Sequence, residues 1–232
     1  DVERSRGLGD VYKRQILYSK NSVRRQMGIL VALSGLDGSG KTTQGKLIKE
    51  LCITNGIKAH YVHLKTIDTK EVYFKVSAKA KAYMKENHSE LKEDRNALRN
   101  IISALLFYEK VENEVLVALS SYDVVIVDRY IDSAICYHLL ENGDYRSVEK
   151  IYAQIKKPDI NVFLDLGINT CCERIKQRNE TTKYENEESF KVAYSYYSSR
   201  KEKFMWLDAN QDRDVIAKEI FNQIINKISE GA

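Results

Sequence analysis

Cysteine, proline and glycine are all scarce in this chain: four, one and 11 residues respectively among 232. Cys52, Cys136, Cys171 and Cys172 include no C-x-x-C pair, and a chain this long needs no covalent framework, so disulfide stapling is not indicated. The adjacent Cys171 and Cys172 read as small apolar packing residues. Four histidines, His60 and His63 among them, form no metal-ligand pattern; three apart on a strand, those two point to opposite faces. No low-complexity linker, internal repeat or second-domain boundary is visible. Long apolar runs are missing too, none approaching the ~20 residues that a membrane-spanning helix requires. The opening "DVERSRGLGDVYKRQ" is polar and lacks a signal peptide's apolar stretch. Residues 1–26 show neither period and are expected to be an extraneous extension, leaving 27–232 as one domain. The chain is expected to be cytoplasmic and to engage no membrane.

A dominant charge sign is also lacking. Lys and Arg number 37 against 33 Asp and Glu, a net charge of +4, and the signs are interspersed. That pattern reads as a solvated surface and not as the footprint of a nucleic-acid polymer. What the chain does have is a 43% hydrophobic content, enough for a sizeable core.

Short apolar runs alternate with longer amphipathic ones, the pattern of βαβ units on a parallel sheet. "GILVALS" (28–34), "KAHYVHL" (58–64), "YDVVIVDRY" (122–130), "DINVFLDL" (159–166) and "KFMWLDA" (203–209) are the five predicted strands. Helices are predicted at 42–54, stopped by Asn55-Gly56, at about 76–86, and, as one long helix, from Asp94 or Asn96 to about Leu119. Further helices are predicted at 132–141, ended by Asn142-Gly143, at about 145–156, over "CCERIKQR" with Asn169 or Thr170 as cap, along a Tyr-rich stretch to about Arg200, and at 213–229.

The most informative stretch is "LVALSGLDGSGKTTQ", residues 30–44. Gly35, four intervening residues and Gly40-Lys41-Thr42 make the pattern G-x-x-x-x-G-K-[ST], set between a predicted strand and a predicted helix. Gly38 and Gly40 let the backbone curl so that successive N–H groups face an anion, and the helix starting at Lys41 adds its positive end. Lys41 then reaches the β- and γ-phosphates and the Thr42 hydroxyl is a ligand for Mg²⁺. Gly35, Leu36, Asp37, Gly38, Ser39, Gly40, Lys41, Thr42 and Thr43 are therefore the candidate ATP-binding residues.

"GLDGSGKTTQ", "DRYIDSAICYH" (128–138), "KPDINVFLDL" (157–166), "CCERIKQR" and "KYE" (within 171–185) and "WLDANQD" (206–212) come in the order and spacing of thymidylate kinases, and the chain resembles that family over about residues 28–225. The resemblance implies an α/β, three-layer P-loop kinase fold with a five-stranded parallel sheet and a short helical lid at about 171–186, ATP with Mg²⁺ as donor, a nucleoside monophosphate as acceptor, and a homodimer. It implies that Asp37 bonds the acceptor's 3′-hydroxyl and that Asp128, at the end of a buried strand, joins Thr42 at the metal. Arg129 would grip the 5′-phosphate, as a guanidinium forks onto two oxygens and keeps its charge. Arg174 and Arg178, sharing a helix face with Lys176 turned elsewhere, would bring charge to the migrating phosphoryl group from the lid, since Gly38 and Ser39 leave the P-loop itself without an arginine.

On the acceptor side, Phe107 matches the base-stacking residue and Tyr137-His138 the position of a Tyr-Gln pair. Three departures stand out. "HLKTIDTKEVYFK" (63–75) replaces the family's Arg-Glu-Pro-Gly turn, Val111 stands where a base-edge arginine is expected, and His138 replaces the glutamine. Arg95 and Arg99 are either a substitute clamp or exposed charges. The leading expectation is phosphorylation of dTMP. The alternatives are a nucleoside kinase using Asp68 or Glu71 as base on a free 5′-hydroxyl, and a non-catalytic nucleotide-binding module on a decayed kinase fold.

Overall fold

The computed structural model describes residues 27–64, 94–142, 145–146, 148–178 and 182–231. Five strands, β1 (Ile29–Ser34), β2 (Ala59–His63), β3 (Val124–Asp128), β4 (Ile160–Asp165) and β5 (Met205–Asp208), form one parallel sheet in the order β2-β3-β1-β4-β5. Each lies inside its predicted run. Unbroken burial of Leu30–Leu33 and of Val124–Asp128 explains why β1 and β3 carry no polar alternation: both faces are covered.

Among the described residues, seven helices of four or more residues flank the sheet: α1 (Lys41–Thr54), α2 (Asp94–Lys110), α3 (Ile131–Asn142), α4 (Glu149–Tyr152), α5 (Ile168–Lys176), α6 (Glu187–Ser198) and α7 (Arg213–Gly231). Register separates the layers. Leu33 pairs with Val162, and its side chain meets the backbone of α1 at Gly45, where a Cβ would lie 3.4 Å from Leu33 Cδ1. One residue on, Ser34 pairs with Phe163, and Phe163 faces the other way, against Tyr197 of α6 at 4.6 Å between ring centroids. Helix α7 packs beside α1, completing that layer. The result is the three-layer arrangement expected of the sequence.

The helix predicted to reach about Leu119 is present, α2 running on through a π turn (Val111–Leu116) and one further α turn (Val117–Leu119). Val111 and Val115, four apart and so on one helix face, both reach the core, at 1% and 0% exposure. Two local expectations are corrected. The segment predicted to be helical over 145–156 shortens to α4, because Gln154 and Ile155 donate to Ile151 and Tyr152, three residues back, and the chain then opens toward Pro158. Helix α5 starts at Ile168 behind Gly167 at φ 80°, so neither Asn169 nor Thr170 caps it. By contrast Asn186 caps α6 through its Oδ1, 2.9 Å from the amide of Ser189. The predicted helix at 76–86, the first 26 residues and Gly143 lie outside the described residues.

Close packing between α1 and β2 depends on Gly45. A Cβ there would sit 2.3 Å from Tyr61 Cε2. Gly45→Ala is therefore expected to destabilise the fold by about 1–3 kcal/mol, since ring or helix must shift. Chemical denaturation with an unchanged m-value would check this.

Candidate active site

The sheet order decides where chemistry can occur. β1 is central, and the chain leaves its carboxyl end into the glycine-rich turn while β3 ends beside it at Asp128-Arg129. This is the crevice in which open α/β sheets bind ligands.

Gly35, Gly38 and Gly40 all have positive φ (148°, 91° and 93°), so the predicted curl is present. At Gly38 it is the φ of 91° that calls for glycine, since a Cβ would reach only ordinary contact with the Cys171 carbonyl (3.4 Å) and Arg174 Cβ (3.5 Å) on α5. Gly40 stands at the start of α1 and offers no side-chain cap, so the first amides of that helix have no intrahelical or capping partner and could meet an anion. Leu36 and Ser39 are buried, the Ser39 amide donates to the Leu36 carbonyl at 3.1 Å, and Thr43 is exposed on α1. Lys41 Nζ donates to the carbonyls of Gly35 (2.9 Å) and Leu36 (2.8 Å) and lies 3.6 Å from Asp37 Oδ1. Burial, reinforced by Arg129, pulls the Lys41 ammonium below the usual lysine range, against the opposing pull of Asp37.

Asp37 is shared. Arg129 Nη2 donates to the same Oδ1 that Lys41 approaches, making a short ion pair. Burial works against the Asp37 carboxylate, but Lys41 and Arg129 outweigh it and hold its pKa below the ordinary 3.8. The carboxylate thus adds stability in full above 3.8, and this is lost as pH falls through the lowered value. Asp37→Asn should be less stable than the parent at neutral pH, with the difference closing in acid below pH 3.8; urea melts across that range check it.

Arg129 is the one non-glycine residue with positive φ (69°) among the described residues, a conformation costing about 1–3 kcal/mol. Its amide is tied to the Leu33 carbonyl at 3.1 Å, and its guanidinium lies 5.7 Å from the Tyr137 ring centroid. Strand and turn together aim the side chain back at the P-loop.

Asp128 is completely buried. Its Oδ2 accepts from Thr42 Oγ1 (2.7 Å) and from the Tyr61 hydroxyl (3.0 Å), while Oδ1 has no partner within the protein. His63 Nδ1 lies 3.0 Å from Oδ2 but without hydrogen-bond alignment. Burial, and then Asp128 itself, push the Tyr61 phenol up to about 12, so it remains a donor at neutral pH. Thr42 commits its only proton to Asp128, so toward any further partner its oxygen acts as an acceptor. A bare buried carboxylate oxygen beside a hydroxyl lone pair suits a hard cation such as Mg²⁺. Sequence reading missed Tyr61 and His63; the one local signal was their shared face, two apart on β2.

From the lid side, Arg174 Nη1 donates to the Gly38 carbonyl at 3.1 Å, so α5 reaches the P-loop. Arg178 instead pairs with Glu185 at 3.4 Å. The helical part of the predicted lid stops at Lys176, and Tyr184 beyond it donates to Glu141 of α3 and sits edge-on to Tyr137. Tyr197 and Phe190 of α6 join Asp37, Arg129 and Tyr137 around one cleft. These α6 residues had no signal beyond the tyrosine-rich composition.

A second cavity of about 160 Å³ lies on the far side of Tyr137, lined by Phe107, Ala134, His138, Glu141 and Tyr152. Phe107 is buried and edge-on to Tyr152 at 5.8 Å. His138 Nε2 shares a hydrogen bond with the Tyr152 hydroxyl (2.8 Å) and Nδ1 one with Asn100 Oδ1 (3.2 Å). Val111 is core, so no cation replaces the expected arginine at that position. The side chains of Arg95 and Arg99, like Asp68 and Glu71, lie outside the description. No described helix is long and apolar enough to cross a membrane.

The family model for thymidylate kinase matches residues 33–220. A thymidylate kinase of Brachyspira hyodysenteriae is 27% identical over 200 residues, 85% of this chain and 93% of the relative. A probable thymidylate kinase of Pyrococcus horikoshii is 31% identical over 175 residues (73% and 81%), and probable thymidylate kinase 1 of Saccharolobus solfataricus 29% over 201 (85% and 97%). With the P-loop, the Asp128-Arg129 turn and the sheet order all within the matched span, the chain belongs to the thymidylate kinase family.

Proposed function

We propose that the protein transfers the γ-phosphoryl group of ATP to the 5′-phosphate of thymidylate, giving ADP and dTDP. The observation that carries this reading is the bridging carboxylate: Asp37 Oδ1 stands between Lys41, in the amide cradle, and Arg129, on the neighbouring strand end. Two cationic grips one carboxylate apart suit two phosphates brought face to face.

In this reading the P-loop amides and Lys41 hold the donor's β- and γ-phosphates, and the Arg129 fork takes the acceptor phosphate while Asp37 is released to the sugar hydroxyl. Thr42 and Asp128 would hold Mg²⁺, which when bound neutralises charge between the β- and γ-oxygens. Little covalent chemistry is asked of the protein, because alignment and charge compensation supply most of the acceleration. Phe107, Tyr137 and His138 form the acceptor-side wall, Phe107 offering a flat apolar face.

Arg174 spans from α5 to Gly38 and would meet charge developing on the transferred group. Arg174→Ala is expected to lower kcat by about 100-fold with little change in the acceptor's KM. Arg178→Ala should cost less, because Glu185 already engages that guanidinium. Steady-state kinetics on both variants read the difference.

An ADP-coupled assay comparing dTMP with thymidine tests the reading. Turnover with dTMP and none with thymidine is expected. Turnover with thymidine alone would make the protein a nucleoside kinase, and ATP binding without turnover on any common monophosphate would make it a binding module.

A further inference from the structure

Asp128 is bonded unevenly. A carboxylate with no exposure at all normally has both oxygens satisfied. Here Oδ2 collects two hydroxyl donors, Thr42 and Tyr61, and Oδ1 collects none. Thr42 belongs to the P-loop helix, but Tyr61 comes from β2, two residues before His63, the register partner of Asp128. The fold makes room for it: α1 carries glycine at 45, where any Cβ would strike the Tyr61 ring at 2.3 Å. A phenylalanine would fill that slot equally well, so ring packing does not account for the hydroxyl.

We infer that Tyr61 is a positioning residue for the metal side of the site, its hydroxyl clamping Asp128 Oδ2 so that Oδ1 stays available to the cation or its water. This rests on the reading that Asp128 and Thr42 hold Mg²⁺. Two donors approaching one oxygen from different elements, α1 and β2, stop the carboxylate from turning about its terminal torsion and exchanging its oxygens. With Thr42 as the sole hydroxyl donor, and the His63 ring 3.0 Å away but not aligned, the carboxylate turns more freely, and the Thr42 hydroxyl loses a fixed acceptor to orient it. Outer-shell donors of this kind tune metal affinity by about 10–100-fold.

The test is Mn²⁺ titration of the protein with a non-hydrolysable ATP analogue, followed by electron paramagnetic resonance, for the parent and Tyr61→Phe. Tyr61→Phe should bind Mn²⁺ about tenfold more weakly. Its affinity for the analogue in EDTA should match the parent, its melting temperature should fall by no more than one lost hydrogen bond costs, and kcat should recover at saturating Mg²⁺. Equal Mn²⁺ affinity in the two proteins overturns the role of Tyr61 while leaving the metal site in place. A fall in metal-free analogue affinity as large as the fall in Mn²⁺ affinity also overturns it, showing a structural role. Absence of a nucleotide-dependent Mn²⁺ site in the parent removes both the inference and the reading beneath it.

Discussion

Lys41→Ala should lower kcat by about a thousandfold, the scale on which fixed charge aimed at a transferring phosphoryl group contributes. The ammonium is buried and held by the Gly35 and Leu36 carbonyls, so its position is fixed before any nucleotide arrives and little reorganisation is needed at the moment of transfer. Burial also lowers its pKa, yet Asp37 beside it favours the charged form. The variant should also lose stability, on the order of 1–3 kcal/mol, because two carbonyls lose a buried donor. Turnover must therefore be normalised to the folded fraction by circular dichroism. A folded variant with near-parental kcat would exclude Lys41 from the chemistry.

Arg129→Ala is expected to reduce kcat/KM for dTMP by about 100- to 1000-fold while changing the KM for ATP much less. The asymmetry follows from geometry: the guanidinium stands on β3's turn, away from the amide cradle, and reaches the donor side only through Asp37. Arg129→Lys keeps a positive charge but not the two-pronged geometry, so it should recover only part of the loss. Equal losses toward both substrates would instead mean that Arg129 matters by organising Asp37 and Lys41. The strained φ of 69° favours the first outcome, since a conformation this costly persists where the side chain's aim matters.

Much of this was legible in the chain itself. Apolar runs gave five strands in the right places because parallel strands are covered on both faces, and glycine spacing located the anion turn because only glycine takes those φ values. Asp128 and Arg129 were readable because they end such a run. What escaped depends on contacts distant in sequence. Tyr61 meets Asp128 only because β2 lies next to β3, a fact of strand order that no local pattern encodes. Helix α4 is cut short by the approach to Pro158. The pairing of Arg178 with Glu185 lies beyond the end of α5, where helical spacing no longer applies.

The central claim is that one carboxylate separates a donor-phosphate grip from an acceptor-phosphate grip. A crystal structure of the protein with ADP, an aluminium or beryllium fluoride and dTMP tests it most directly. The expected result is the fluoride group in line between the two nucleotides, with Lys41 on the donor side and Arg129 moved from Asp37 onto the dTMP phosphate. Phosphates seated far apart, or Arg129 still paired only with Asp37, would contradict it.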